Sequence, residues 1–342
     1  MAPHQRKRRR RSGAEKLILF ICILLFCGMG VFGLYRCFVH PPEVPDTTVE
    51  EDPTGSGESQ EKGETSSQRQ RKESCYTILV SGKDDDNGGS DTNILLFIDA
   101  KNKAFNAVSI PRDTWIDTDW NVPKFNASYN VGGIERLQEE LSNLLGIPVD
   151  FYVSVDLNGF VELVDAVGGV WFDVPVNMNY DDPVQDLHIH FEKGYQYLEG
   201  EDAVKVVRFR QNNDGTGYPN GDIGRIETQQ AFLTAVAKQM LDNLGSNPIQ
   251  AVKEYASLFY TYIDTDLEVG ELAWIGEQAL NVGMENIHFY TLPGDGAWLQ
   301  GKGFYSGSYY VLDPEATLAL INESFNLYDQ DLILEDMDIL VP

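Results

Sequence analysis

Cysteine and histidine are scarce in this 342-residue chain, at four and five residues. Cys22 and Cys27 fall inside one apolar run, Cys37 stands at its edge, and only Cys75 lies beyond it. That leaves no pair for a disulfide framework in the main body and no set of thiolates for a zinc site. Basic residues are few as well. Lys and Arg number 26 against 53 Asp and Glu, a formal net charge of −27, and seven of the 26 crowd into residues 1–16. Residues 17–342 therefore carry 19 basic and 52 acidic side chains. This balance excludes nucleic acid as a partner of the main body, because such binding rests on Lys and Arg neutralising phosphates. Wholesale disorder is excluded by the 42% hydrophobic content, enough to bury a substantial core.

From Leu17 to Tyr35 the chain has nineteen residues without a charge. A helix of that length, at about 1.5 Å per residue, spans a hydrocarbon layer of roughly 30 Å. The run Arg6-Lys7-Arg8-Arg9-Arg10-Arg11 precedes it, and positive charge stays on the cytoplasmic side. The predicted topology is single-pass in the cell membrane, with a basic cytoplasmic segment at 1–16, a transmembrane helix at 17–39 and the remainder extracytoplasmic. The apolar run is longer than that of a cleaved signal peptide, and no A-x-A-like site follows it. Residues 40–74, rich in Pro, Glu, Ser, Thr, Gly and Gln with no aromatic residue, are predicted to be a disordered linker. A folded domain is expected over 75–328, followed by an acidic tail at 329–342.

Within the domain, β-branched and aromatic runs predict strands at Tyr76–Ser81, Thr92–Asp99 and Ala104–Ile110, then at Phe151–Asp156 and Val170–Val174. A final strand pair is expected near His288–Leu292 and Tyr309–Leu312. Helical periodicity predicts helices at Ile134–Leu145, Leu157–Val167, Gly200–Val207, Gly221–Leu241, Val252–Phe259, Val269–Leu280 and Pro314–Ile321. The alternation gives an α/β fold, a single domain with a central mixed β-sheet flanked by helices in an α/β/α arrangement.

Residues 76–342 hold five arginines and nine lysines against 43 acids. Arg136 falls on a surface helix, whereas Arg112, Arg208, Arg210 and Arg225 occur near turns. Such concentration in an acidic domain points to one shared anion, since a guanidinium donates paired hydrogen bonds to phosphate or carboxylate and stays charged. Separate ion pairs with local acids are the alternative. Arg208 and Arg210 share a face if the segment is extended, with Phe209 turned inward. Arg112 follows a strand end, where crevices form in α/β sheets, and Arg225 stands near a helix start, which favours anions. The Asp-rich loop after Lys83, including Asp84 and Asp91, offers oxygen ligands that suit Mg²⁺ beside phosphate, or is an ordinary solvated turn. It does not fit an EF-hand, because no Glu closes the loop. His188-x-His190 places two imidazoles on one strand face with no third ligand evident. Trp115, Trp120, Trp171 and Trp298 are candidates for sugar stacking or for core.

Taken in order, Gly82-Lys83-Asp84, Ser90-Asp91-Thr92, Ser109-Ile110-Pro111-Arg112-Asp113, Asn126-Ala127, Gly132-Gly133, Val167-Gly168-Gly169-Val170, Val207-Arg208-Phe209-Arg210 and Asp222-Ile223-Gly224-Arg225-Ile226 resemble the LytR-CpsA-Psr family over most of residues 75–325. The resemblance implies a Mg²⁺-dependent phosphotransferase that moves a glycopolymer from a polyprenyl-pyrophosphate carrier to peptidoglycan through a phosphodiester bond. It implies that Asp84 and Asp91 hold the metal. By the same resemblance Arg112, Arg208, Arg210, Arg225, Gln229 and Lys83 would bind pyrophosphate, and catalysis would involve Arg112 with Asp113 or Asp222 as candidate base. It also implies an apolar tunnel for the lipid, drawing on the helices at Leu157–Val167 and Ile226–Met240. Two positions depart from the family pattern: Gly89 and Thr228 stand where members commonly carry a basic residue. Hydrolysis of the carrier at the same site and non-enzymatic binding of lipid-linked polymer are the alternatives. A transcription regulator is not supported, because the domain is acidic and shows no helix-turn-helix.

Overall fold

The computed structural model describes residues 39–44, 69–83, 89–184, 186–246, 255, 258, 261–282, 286–301 and 303–342. The predicted cytoplasmic segment and all but the last residue of the predicted transmembrane helix lie outside these residues. So do Asp84 and most of the helix expected at Val252–Phe259. Among the described residues no helix is long and apolar enough to cross a membrane.

A six-stranded mixed sheet forms the centre. Its strands are β1 (Cys75–Lys83), β2 (Ser90–Asp99), β3 (Ala104–Ser109), β4 (Phe151–Asp156), β9 (Ile263–Thr265) and β10 (Ile287–Thr291), in the order β10-β3-β2-β1-β4-β9. β1 runs parallel to β4 and β10 parallel to β3, while β2 is antiparallel to both β1 and β3. The carboxyl ends of β1, β3, β4 and β10 thus share one edge. Both faces of the sheet are covered, so its central strands read as continuous apolar runs. Leu79, Leu95, Phe97 and Val108 point to one core, and Ile78, Ile98 and Phe105 to the other. The first core is closed by α1 (Ala127–Leu145) and α6 (Pro314–Ser324), through Leu137, Leu141, Leu144 and Ile321. The second is closed by α5 (Val269–Val282), through Leu272, Trp274 and Ile275.

A third cluster sits beyond the carboxyl edge. It joins α2 (Leu157–Ala166), α3 (Gly200–Arg208) and α4 (Asp222–Ser246) to two small ribbons. One ribbon pairs β5 (Val170–Val174) with β8 (Gly194–Leu198), the other β6 (Met178–Asp182) with β7 (Leu187–Phe191). Local chemistry sets the helix starts: Asp156 caps α2 by accepting from Gly159 N at 2.6 Å, and Asp313 caps α6 by accepting from Ala316 N at 3.0 Å, each worth about 1 kcal/mol.

The structure corrects several expectations. The helix expected from Ile134 starts at Ala127, and the pattern was hidden by a break at Gly132-Gly133, where Gly133 has φ +71°. The two late strands do not pair with each other: β10 joins the central sheet, and β12 (Gly307–Leu312) pairs with β11 (Gly294–Leu299). Residues 69–74, grouped with the linker on composition, pack onto the domain. Arg71 grips Asp150 with both terminal nitrogens, at 2.9 and 2.5 Å, and reaches Cys75 O at 2.9 Å. In the acidic segment after Tyr328, Leu332 and Met337 enter the first core, and Asp336 meets Arg69 at 2.7 Å. Each of these charges has a partner across the chain, which composition does not reveal.

Asp150 is buried and also accepts from Thr77 N at 2.9 Å. Replacing Arg71 with Ala leaves this carboxylate short of its counter-ion, and a loss of about 2–3 kcal/mol in stability is expected. Urea unfolding of Arg71→Ala beside the parent chain measures it, as a lower midpoint at unchanged slope.

Candidate active site

The carboxyl edge of the sheet, α2, α4 and the β6–β7 ribbon enclose a cavity of about 1030 Å³. Its polar end collects Lys83, Asp91, Arg112, Asp113, Arg208, Arg210, Arg225 and Gln229, every described site residue expected from sequence except Asp222. Asp222 stands just behind, its Oδ1 2.8 Å from Arg225 Nη2 and 3.7 Å from Arg210 Nε. The fifth arginine of residues 76–342, Arg136, is engaged on α1 with Glu139 at 2.8 Å and Glu140 at 2.5 Å and is not part of the cavity lining.

Each side chain is positioned by its element. Lys83 ends β1, where the register shifts after Gly82. Asp91 is the second residue of β2, next to a buried polar set: Ser90 Oγ lies 2.7 Å from Ser81 Oγ and 2.5 Å from Asn93 Oδ1, and Asn93 Nδ2 donates to Ser90 O at 3.1 Å. Arg112 follows β3 in a turn fixed by Thr114 Oγ1 donating to Pro111 O at 2.6 Å and by Asn126 N donating to Arg112 O at 3.0 Å. Arg225 lies in the first turn of α4. Gln229 Nε2 donates to Val207 O at 3.0 Å, and the adjacent Gln230 Nε2 donates to Ser109 Oγ at 2.8 Å and Tyr290 O at 2.9 Å. One helix is thereby fastened both to α3 and to the sheet.

Arg208-Phe209-Arg210 is not extended throughout, the condition under which the two guanidiniums would share a strand face. The apolar pattern Ala203, Val204, Val206 carries α3 through Arg208, and the chain leaves the helix at Phe209 (φ −58°, ψ 133°). Phe209 is buried, as expected, against Tyr218. Both flanking arginines still reach the cavity wall.

Charge dominates this end. The Arg225 side chain is 6% exposed. Its burial pulls the guanidinium pKa down, Asp222 opposes the fall, and Arg112 and Arg210 add to it. Burial acts on Arg112 in the same direction, but the Asp91 carboxylate, at 2.6 Å, with Asp113 and Asp222, leaves its pKa raised. Arg112 Nε and Arg225 Nε are buried without a hydrogen-bond partner, two donors suited to an anionic oxygen. Lys124, which sequence reasoning missed, adds a cation to the wall and donates to Asp113 Oδ1 at 3.0 Å. It lies in an irregular segment whose only signal was its nearness to Asn126-Ala127.

Among the described residues the cavity lining includes no His or Cys. Asp91, paired with Arg112 at 2.6 Å, is 44% exposed, and a carboxylate is a donor that suits a hard cation. The two departures from the family pattern have structural counterparts. Gly89 adopts φ +98°, a region that disfavours a side chain. Thr228 is buried and donates from Oγ1 to Gly224 O at 2.8 Å.

Away from the arginines the wall turns apolar, with Val153, Val155, Phe160, Leu163, Leu233 and Ile263. The tunnel expectation thus splits: these α2 and α4 positions face the cavity, while Val164, Phe232 and Val236 are core. Of the tryptophans, Trp115 packs on Phe304 and Trp120 lies against Arg136. Trp171 and Trp298 are exposed, with Trp171 stacked on Tyr195.

Inorganic pyrophosphate is expected to bind the full chain, more weakly as salt rises. Arg225→Ala should weaken binding about ten- to hundredfold, the loss of a charged hydrogen bond, and Arg136→Ala should not change it. Isothermal titration calorimetry distinguishes the two variants.

Comparison with known proteins agrees with this architecture. A polyisoprenyl-teichoic acid–peptidoglycan teichoic acid transferase TagV of Bacillus subtilis (strain 168) is 29% identical over 317 residues, covering 88% of this chain and 74% of its own. A transferase of the same description, TagU of Bacillus anthracis, is 33% identical over 247 residues, 71% of this chain and 76% of its own. The crystal structure of B. subtilis TagV superposes with a TM-score of 0.61 at 27% identity, over 79% of this chain and all of that one. The family model described as the LytR_cpsA_psr family matches residues 45–319, and the chain belongs to that family.

Proposed function

We propose that this protein transfers a glycopolymer from a polyprenyl-pyrophosphate carrier to peptidoglycan, forming a phosphodiester. The observation that carries the reading is the cavity itself, whose lining joins Arg112, Arg208, Arg210 and Arg225 to apolar side chains such as Val153, Phe160, Leu163 and Leu233. A diphosphate joined to an isoprenoid has that same division of charge and hydrocarbon. The transferase names of the TagV and TagU relatives support the glycopolymer and the acceptor. The apolar segment at Leu17–Tyr35 would hold the domain at the outer membrane surface, where such a carrier resides.

In the proposed reaction a sugar hydroxyl of the acceptor attacks the phosphorus next to the glycan, and polyprenyl phosphate leaves with the bridging oxygen. The arginines neutralise the phosphate oxygens and align attacker and leaving group, the main demand of phosphoryl transfer. Mg²⁺, when bound, would add neutralisation at the same oxygens, with Asp91 as its ligand and Asp84 as the second expected from sequence. Of the two candidate bases, Asp113 lines the cavity, where it accepts from Lys124, whereas Asp222 is not part of the lining and pairs with Arg225. We therefore assign proton acceptance to Asp113 and the orientation of Arg225 to Asp222.

Arg208→Ala combined with Arg210→Ala should lower transfer from a pyrophosphate-linked donor by about a hundredfold or more; undiminished transfer rejects the site. Release of glycan phosphate without attachment to peptidoglycan would identify a hydrolase, and donor binding without turnover at any Mg²⁺ concentration a binding module. Asp113→Asn is expected to lower kcat by about 10²-fold or more with pyrophosphate affinity retained, while Asp222→Asn weakens that affinity. Single-turnover kinetics beside calorimetry separates the two roles.

A further inference from the structure

We propose that the outer face of the β6–β7 ribbon is a site for a divalent transition metal, zinc by its donor set, held by Asp181, His188 and His190. The site is separate from the arginine cluster and braces the cavity wall. Register brings these residues together: Asp181 pairs with His188 across the ribbon, and Asn179 with His190. All four side chains therefore project from one face, and the carboxylate that the H-x-H pair lacked in the sequence comes from the neighbouring strand. One ligand atom from each of Asp181, His188 and His190 lies within 4.8 Å of the others.

The spacing suits a small ion. His190 Nε2 is 3.2 Å from Asp181 Oδ1, close to the roughly 3.3 Å between ligand atoms set by tetrahedral bonds of about 2.0–2.1 Å. His188 Nδ1, at 2.5 Å from the same oxygen, needs to withdraw by only about 1 Å to match that spacing. Each imidazole also has an outer partner on its second nitrogen. His190 Nδ1 is 2.8 Å from Asn179 Oδ1, and His188 Nε2 is 3.5 Å from Asp186 Oδ1. Partners of this kind fix the tautomer that turns a lone pair toward the metal. Two imidazoles and a carboxylate match zinc and its neighbours rather than Mg²⁺, and exposure of the face leaves a fourth position for water.

The ribbon is anchored to functional ground. Asn213 Oδ1 accepts from Asp181 N at 2.7 Å and Asn213 Nδ2 donates to Asp181 O at 2.9 Å, while Asn212 Oδ1 accepts from Asn179 N at 2.6 Å. These asparagines stand two and three residues after Arg210 in sequence. Tyr180 and Leu187, on the opposite face of the ribbon, line the cavity. A metal bridging the two strands would hold that wall and the Arg210 segment together.

The test uses the full chain in detergent, with Co²⁺ as spectroscopic probe and Zn²⁺ in calorimetry. The expected result is about one equivalent of tetrahedral Co²⁺ lost in the His188→Ala/His190→Ala double variant, whose substitutions fall on exposed residues. Zn²⁺ should raise Tm in the parent but not in that variant, and Asn179→Ala should weaken Zn²⁺ about tenfold or more. No tetrahedral spectrum in the parent, or equal binding by the double variant through the cysteines of the amino-terminal region, overturns the proposal. Neither readout depends on transfer activity, so it stands or falls apart from the proposed reaction.

Discussion

Arg112, Arg210 and Arg225 lie within electrostatic reach of one another, and Arg225 is almost removed from water. Like charges at such range repel more strongly as the local dielectric falls. Asp91 and Asp222 offset part of that repulsion by pairing with Arg112 and Arg225, yet two guanidinium nitrogens stay buried without a hydrogen bond. The rest of the domain holds this unfavourable group in place. The sheet edge sets Asp91 and Arg112, the first turn of α4 sets Arg225 and Asp222, and the end of α3 sets Arg208. A polyanion entering the cavity relieves the repulsion that the fold maintains without it, which is how preorganised charge favours a charged guest.

The acidity of the whole domain acts in the opposite direction. With 43 acids against 14 bases over residues 76–342, long-range attraction of an anion is weak, and salt screening shortens it further. Selectivity then rests on groups in direct contact. An anion attached to a hydrocarbon chain gains the apolar wall as well, and a bare phosphate does not.

Legibility in the sequence followed burial. β1, β2, β3 and β4 are covered on both faces, so their apolar runs stand out, and α2, α3 and α5 show their buried stripe directly. The strands β6 and β8 were not anticipated, because residues such as Asn179, Asp181 and Tyr195 face solvent in short strands without an apolar run. The arginines were legible because they are rare against an acidic background, and Asp113 because it adjoins one. Lys124 carried no comparable signal. For Arg208-Phe209-Arg210 the sequence left the conformation open, and a helix end followed by an extended residue brings both arginines to the cavity wall without a strand.

Gln229 and Gln230 are neighbours on α4, yet one is tied to Val207 and the other to Ser109 and Tyr290. A rod clamped to two neighbours within a single turn can neither roll nor slide without breaking a hydrogen bond. Arg225, one turn earlier on the same helix, is held with it.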